Sequence, residues 1–444
     1  MQQPNIPITK ILSNLNIETL NEMQLASIKA NAEHNNIQLL SSTGTGKTLA
    51  FLIPILERLN PAIKTVQALV LAPSRELAIQ IDEVFRKMST GYKVSCCYGG
   101  HKREIEENNL LQSPALIIGT AGRIADHIRR ENFPLTEIHT LVLDEFDKSL
   151  ELGFVEEMKF IINSLPAVEK RILTSATPIA LIPDFVQFTD PLKLDYTSMQ
   201  VEKHIADELL LMKVHSPEKD KLETLFRLIC QVGNKSIIIF CNHREAVERT
   251  SESLKDKGLV NVFYHGGMEQ YERESAMCKF KNGTSNILVT TDLASRGLDI
   301  PDIKYIIHYH LPASQDVFTH RNGRTARMTS GGKSIMILSD DERLPNYIAE
   351  EVIQLELYDE LELPEKPKWT TFYISAGKKD KVNKIDIVGF FSKIGNLKQE
   401  DIGLIEVKDF SSFVAIRKLK AGAVMELIKD VKIKNKKVKI EIAK

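Results

Sequence analysis

Short apolar runs recur along most of the chain, each bounded by small or polar residues and followed by a stretch of helical length. One set covers residues 37–40, 68–71, 115–118, 140–143 and 171–173, and a second covers 236–240, 260–264, 286–289, 305–309 and 334–338. Uninterrupted Ile, Leu and Val marks strands covered on both faces, the habit of parallel sheets with flanking helices. Two such sets in succession predict two α/β domains, over 1–200 and 205–362. Their seam falls between Asp190 and Asp207, where Pro191, Ser198 and neighbouring polar residues break the pattern. A stiff Leu-Pro-Glu-Lys-Pro-Lys segment at 363–368 then precedes a different arrangement. Strands are predicted over 371–375, 402–407, 412–416 and 437–442, with helices over 384–394 and 419–429. That βαββαβ order describes a small α+β domain of RRM-like type over 370–444.

The length of 444 residues suits two ordinary domains and a smaller third. A hydrophobic share of 43% with 26% charged residues is globular and argues against wholesale disorder. No apolar run approaches the ~20 residues that cross a bilayer. The first ten residues lack a basic-apolar-small leader pattern. The five cysteines form no CxxC pair and are expected to be buried thiols in a reduced compartment. A cytoplasmic location, away from membranes, is therefore expected. The net charge of −1 conceals an asymmetry: residues 366–444 hold 19 Lys+Arg against 9 Asp+Glu, leaving the rest of the chain acidic. A basic module on an acidic body is an electrostatic anchor for a polyanion, or simply a solvated face.

The chemistry sits after the predicted strands, where open α/β sheets bind their ligands. Residues 37–40 lead into Ser41-Ser42-Thr43-Gly44-Thr45-Gly46-Lys47-Thr48 and then an apolar helix. In this strand–loop–helix setting Gly44 and Gly46 let backbone N–H groups turn around phosphates, with Thr43 and Thr45 in the same loop. Lys47 reaches the outer phosphates and the Thr48 hydroxyl can ligate Mg²⁺, so ATP and Mg²⁺ are the expected ligands. Residues 140–143 end in Asp144-Glu145-Phe146-Asp147. Asp144 suits Mg²⁺ held through water, and Glu145 suits positioning of the attacking water. Farther on, Arg324 and Arg327 stand three apart on one predicted helix face, as a pair of guanidinium groups would for charge on a transferring phosphoryl group.

Taken in order, these motifs resemble one family. Thr43 to Thr48, Pro73-Ser74-Arg75-Glu76-Leu77-Ala78, Gly99-Gly100, Thr120-Ala121-Gly122-Arg123, Asp144 to Asp147 and Ser175-Ala176-Thr177 resemble the first-domain motifs of DEAD-box RNA helicases. Gln270 with Arg273, Thr291 to Asp299, and His320 to Arg327 resemble the second-domain set. The resemblance runs from about Gln24 to Leu338 and implies tandem RecA-like domains and an RNA-stimulated ATPase. It implies that Gln24 reads the adenine edge, that Asp299 meets the ribose, and that Asp147, Ser175, Thr177 and His320 couple nucleotide to RNA. It also implies RNA contacts from Arg75, Gly100, Thr120, Arg123, Gln270, Arg273 and Thr291. Hydroxyls, glycine N–H groups and a few arginines suit a sugar–phosphate backbone, whose binding positions a strand without reading its sequence. Ser41 stands where the general phosphate-loop pattern has its first glycine, and the chain departs from the family pattern at Phe146 (alanine), Ala326 (glycine) and Ala121 (proline). The aromatic residue usual upstream of Gln24 is also absent, Pro7 lying near its place. Every ionisable motif residue is retained.

The basic C-terminal module is similar to the RNA-binding domain of DbpA-type helicases. The resemblance rests on Ile374-Ser375-Ala376-Gly377-Lys378-Lys379-Asp380-Lys381 and Asp386-Ile387-Val388-Gly389. It implies an address on structured ribosomal RNA of the large subunit, with Lys378, Lys379, Lys381 and Arg417 as candidate contacts. The expectation is an ATP-dependent RNA helicase that opens short duplexes locally. A nucleotide-gated RNA clamp that holds more than it unwinds is the alternative.

Overall fold

The structure is a computed structural model that describes residues 6–42, 44–100, 102–179, 181–197, 209–295, 303–323, 325, 332–348, 351–428, 431–434 and 437–443. These fall into two compact units, the first ending at 197 and the second starting at 209.

In the first unit the strands are β1 (Asn36–Leu40), β2 (Ala68–Ala72), β3 (Val94–Cys97), β4 (Leu116–Thr120), β5 (Thr140–Leu143), β6 (Lys170–Ser175) and β7 (Leu192–Asp195). The helices are α1 (Ile8–Leu15), α2 (Glu22–Glu33), α3 (Lys47–Arg58), α4 (Arg75–Lys87), α5 (Arg103–Leu110), α6 (Ala121–Arg129), α7 (Phe146–Glu151) and α8 (Val155–Asn163). The strands form one sheet in the order β3-β4-β2-β5-β6-β1-β7, parallel at every pairing. Successive residues of β2 serve opposite layers: Val70 packs with Phe51 and Phe85 of α3 and α4, while Leu69 and Leu71 pack with Ile124 of α6 and Ile161 of α8. Burial on both faces is why the sequence shows runs and not alternation.

The second unit repeats this plan with β8 (Leu209–Ser216), β9 (Ile237–Phe240), β10 (Val262–Tyr264), β11 (Ile287–Thr290), β12 (Tyr305–His308), β13 (Gly332–Ser339) and β14 (Ile353–Gln354). Their order is β10-β11-β9-β12-β13-β8-β14, again parallel. The two tandem RecA-like sheets expected from the sequence are present. The runs foretold all the inner strands except β8, but not β3, β7 or β14. The cause is physical: β7 and β14 lie at sheet edges with exposed residues, and β3 is an edge strand of Val, Ser and two Cys. The 190–207 seam falls mostly on 198–207, outside the described residues.

The third element, within the second unit, comprises β15 (Trp369–Ile374), β16 (Ile402–Val407), β17 (Ser412–Arg417) and β18 (Ile440–Ile442), with helices Lys384–Lys393 and Lys418–Leu427. The sheet is antiparallel in the order β16-β17-β15-β18, as an RRM-like βαββαβ unit requires. Phe372 and Ile374 face its own core beside Phe390 and Phe391. The alternate residues Thr371 and Tyr373 face the other way and meet the helix Gln270–Lys281 and the turn after it. Tyr271 sits edge-on to Tyr373 at 5.1 Å and stacks over Phe413 at 6.4 Å, and Asn282 donates to the Thr371 hydroxyl at 2.8 Å. The outer sheet face, which RNA-recognition motifs use as a stacking platform, is thus covered here by the second RecA-like domain.

All five cysteines are free thiols, and all but Cys96 are buried. Among the described residues no helix is long and apolar enough to cross a membrane.

Candidate active site and RNA-facing residues

Because the first sheet is parallel, the loops after β1, β5 and β6 emerge at one edge, with β6 between the other two. That edge gathers the phosphate loop, the acidic segment and Ser175–Thr177. Gly44 and Gly46 have φ of 84° and 89°, the left-handed backbone the loop needs. Gly46 is also required by crowding, since a Cβ there would lie 2.5 Å from Gln24 Nε2. The loop is fastened from outside: Gln24 Nε2 donates to the Gly46 carbonyl at 3.1 Å, and Asn21 Nδ2 donates to the Thr45 carbonyl at 2.9 Å. Gln24 Oε1 also accepts the Asn21 N–H, closing a capping box on α2. Ser41, in place of a glycine, donates its hydroxyl to Thr45 Oγ1 at 2.8 Å. Lys47 starts α3 and is buried, its ammonium donating to the Ser41 and Ser42 carbonyls. Thr48 follows it, half-buried.

Asp144 leaves β5 at 3% exposure, and the Thr174 hydroxyl of β6 donates to its Oδ1 at 2.5 Å. Burial holds its carboxyl above the ordinary 3.8, opposed by the Thr174 bond, the Lys47 charge and the Glu145 N–H. Such a desolvated carboxylate gains from a divalent cation. A hydroxyl at Thr48 and a carboxylate at Asp144 are the hard oxygen donors that Mg²⁺ prefers, so the residues fit that ion. Glu145 takes φ 45° and ψ 53° ahead of α7, a conformation that costs a non-glycine residue ~1–3 kcal/mol and collects at functional sites. Phe146 is fully buried against Ile124, Met158 and their neighbours, so the side chain that departs from the family pattern fills the core and not the site. At the next residue, Asp147 Oδ2 accepts the Thr177 hydroxyl at 2.9 Å, while Asp147 Oδ1 has no hydrogen-bond partner among the described residues. Ser175 Oγ closes a short ring with the backbone of Thr177.

The residues expected to face RNA in the first unit lie along the β2, β3 and β4 ends. Arg75, opening α4, lays its guanidinium against Gly99 and Gly100, and a Cβ on Gly100 would meet its Nη1 at 2.3 Å. Thr120 stands immediately before α6 without a side-chain capping bond, and Arg123 in its first turn donates from Nη1 to Glu106 at 2.9 Å. In the second unit Arg273 is nearly buried and donates to Gln270 Oε1, one turn back on the helix Gln270–Lys281. Thr291 follows β11. His320 is buried in the helix Gln315–Asn322. Thr43, Asp299, Arg324 and Arg327 lie outside the described residues.

Three residues of this scaffold received no role from the sequence, although Arg321 lies within the His320 to Arg327 motif. Arg321, fully buried, donates to Asp292 after β11 at 2.5 Å, Asn242 after β9 at 2.8 Å and the His310 carbonyl after β12 at 2.8 Å. It ties three strand ends to the helix Gln315–Asn322. Glu106 and His127 form a similar buried node in the first unit. An isolated Glu on a polar helix reads as surface, and only the fold brings these groups together.

In the C-terminal domain Lys378, Lys379 and Lys381 are exposed on a turn, with Lys381 at φ 61°. Gly377 is forced there by closeness, since a Cβ would lie 2.2 Å from the Lys408 carbonyl. Arg417 lies over the Trp369 ring at 4.5 Å, a cation–π contact that occupies one face of its guanidinium.

Comparisons agree with this geometry. Residues 21–184 match the DEAD/DEAH box helicase family, 220–329 the helicase conserved C-terminal domain, and 371–442 the DbpA RNA binding domain. The chain is 31% identical to the ATP-dependent RNA helicase DbpA of Bacillus subtilis, covering 98% of this chain and 97% of that protein. It is 29% identical to the protein of the same name from Escherichia coli, covering 98% and 96%. Among solved structures it is similar to S. cerevisiae Dbp5 bound to RNA and ADP BeF3, at 26% identity and a TM-score of 0.66, over 79% of this chain and 93% of that one. It is similar also to Mss116p bound to ssRNA and AMP-PNP, at 26% identity and a TM-score of 0.67, over 80% and 78%.

Proposed function

Because the chain belongs to the DEAD-box ATP-dependent RNA helicases, we propose that it opens short duplexes next to a structured RNA, addressed there by its C-terminal domain. The observation that carries this reading is the shared sheet edge on which the phosphate loop, the acidic segment and the Ser175–Thr177 loop meet, joined by the bond from Thr177 to Asp147. Lys47 exchanges the Ser41 and Ser42 carbonyls for phosphate oxygens. The N–H groups of the glycine loop hold the phosphates, and Gln24, already anchored to Gly46, presents its amide to the base. Thr48 and Asp144 hold Mg²⁺, which when bound neutralises phosphate charge. Glu145 orients the attacking water and takes its proton. Asp299 meets the ribose, and Arg324 and Arg327 offset charge on the transferring phosphoryl group.

Arg75, Gly100, Thr120 and Arg123 in the first RecA-like domain, and Gln270, Arg273 and Thr291 in the second, bind one RNA strand through its backbone. A strand held on a path unlike A-form geometry sheds its partner over a few base pairs. Asp147, Ser175, Thr177 and His320 link that grip to the nucleotide. The exposed Lys378, Lys379 and Lys381 hold a structured RNA, and ribosomal RNA of the large subunit during its assembly is the proposed target, in the cytoplasm.

RNA-stimulated ATP hydrolysis tests the motor. Glu145→Gln is expected to lower it at least about a hundredfold while nucleotide still binds. Hydrolysis in the variant at the parent rate contradicts the role given to Glu145. For the address, replacing the three lysines by alanine is expected to flatten the salt dependence of hairpin-RNA binding by about two units of slope. An unchanged slope removes them from the contact.

A further inference from the structure

β3 and β4 adjoin at the edge of the first sheet, so the turn carrying Gly99 and Gly100 and the start of α6 carrying Arg123 emerge side by side. Between them lies Glu106 of α5, 2% exposed. Its Oε1 accepts the Tyr98 N–H at 2.9 Å. Its Oε2 accepts Arg123 Nη1 at 2.9 Å and faces His127 Nε2 at 2.7 Å. His127 is fully buried one turn beyond Arg123, and its Nδ1 faces the amide nitrogen Asn132 Nδ2 at 2.8 Å. An amide nitrogen only donates, so Nδ1 accepts and the ring proton sits on Nε2, directed at Glu106.

Cys97 Sγ, a Glu106 oxygen and a His127 nitrogen lie within 4.8 Å of one another, a spacing that could hold a metal ion. The chemistry favours another use. A guanidinium already shares the carboxylate, Asn132 occupies the second imidazole nitrogen, and burial pushes the Cys97 thiol well up, away from the thiolate a metal would need.

We infer that Glu106 is a positioning residue for RNA, held in place by His127, which fixes Arg123 and the Gly99–Gly100 turn at a set spacing against the strand backbone. The inference rests on the proposed RNA contacts of Arg123 and Gly100. A long arginine loses side-chain freedom on binding phosphate; a carboxylate that fixes the guanidinium beforehand removes that cost from the binding step. The same carboxylate holds the Tyr98 N–H immediately before the turn, so both contacts are preset by a single group. His127 supplies a donor that keeps Glu106 aligned, as outer partners align metal-binding histidines or catalytic bases.

The test is RNA-stimulated ATPase measured against RNA concentration on the full chain, with single-stranded RNA, for wild type, Glu106→Ala, Glu106→Gln, Arg123→Ala and the double variant Glu106→Ala/Arg123→Ala. Glu106→Ala is expected to raise the half-saturating RNA concentration about tenfold while kcat at saturating RNA stays within about twofold. Glu106→Gln, which keeps an acceptor oxygen, recovers most of that loss and remains a usable variant if Glu106→Ala does not fold. The double variant is expected to be weaker than Arg123→Ala by clearly less than the full Glu106→Ala loss, because removing Arg123 removes one of the two contacts that Glu106 positions and leaves the Gly99–Gly100 turn. Multiplying losses in the double variant, or a fall in kcat with unchanged half-saturation, overturns the positioning role while leaving the RNA contact of Arg123 standing. Arg123→Ala with unchanged half-saturation overturns the RNA contact itself, and the positioning role falls with it.

Discussion

Thr177 donates its hydroxyl to Asp147 Oδ2 across 2.9 Å, fastening the loop after β6 to the first turn of α7. Asp147 lies two residues from Glu145 and Thr177 two residues from Ser175, so a movement on either loop is felt by the other. In the proposed function this bond is the link between the nucleotide and the RNA-bound state.

Thr177→Val keeps the shape and removes the donor, losing a bond to a carboxylate worth ~1.5–3 kcal/mol. The expected result is fewer strands displaced per ATP hydrolysed, by about tenfold, read by following duplex release and phosphate release together. An unchanged ratio would show that the two loops communicate by another route.

Asp144 carries a functional cost to stability. Its folded carboxyl is held above 3.8 by burial. A carboxylate with a raised value contributes stability that is present below the unfolded value and is lost as pH rises through the folded one. At pH 7 Asp144→Asn is therefore expected to raise Tm, while ATP hydrolysis is lost. Melts of both proteins in the absence of nucleotide and Mg²⁺ should show the gap narrowing as pH falls toward 4. A lower Tm for the variant at pH 7 would mean that the carboxylate stabilises the fold.

Tyr271 joins the C-terminal sheet to the second RecA-like domain through Tyr373 and Phe413. Tyr271→Ala removes that aromatic contact, worth ~0.5–1.5 kcal/mol per pair beyond the area it buries. Faster amide exchange in β15 and β17 is expected, with exchange in β9 and β12 unaffected. Equal protection of β15 and β17 in the two proteins would mean that the sheet face does not depend on this contact.

The motor was largely legible in the sequence because buried parallel strands advertise themselves as apolar runs and the chemistry follows each run directly. Lys47, Asp144 and Glu145 could be assigned from neighbours within a few residues. A coupling of Thr177 with Asp147 was implied only by the family resemblance, and the bond between them is visible only in the fold, since the two are far apart in the chain. Glu106 and His127 were not legible, and Arg321 was legible only as a member of the His320 to Arg327 motif: each gains its meaning from groups that separate strands deliver. The covered face of the C-terminal sheet was equally hidden. Tyr373 and Phe413 alternate with core residues as in any half-exposed strand, and nothing local says that a protein helix lies on them. Phe146 was legible as a departure from the family pattern, yet its burial in the core explains why a bulky side chain is tolerated there.

Displacement of a short RNA strand placed beside a structured ribosomal-RNA hairpin, timed with and without ATP, tests the central claim most directly. The account predicts release that requires ATP, is lost in Glu145→Gln under multiple-turnover conditions, and slows when the hairpin is removed. Long-lived, ATP-dependent residence on the RNA with no strand release would contradict it and identify a clamp in place of a helicase.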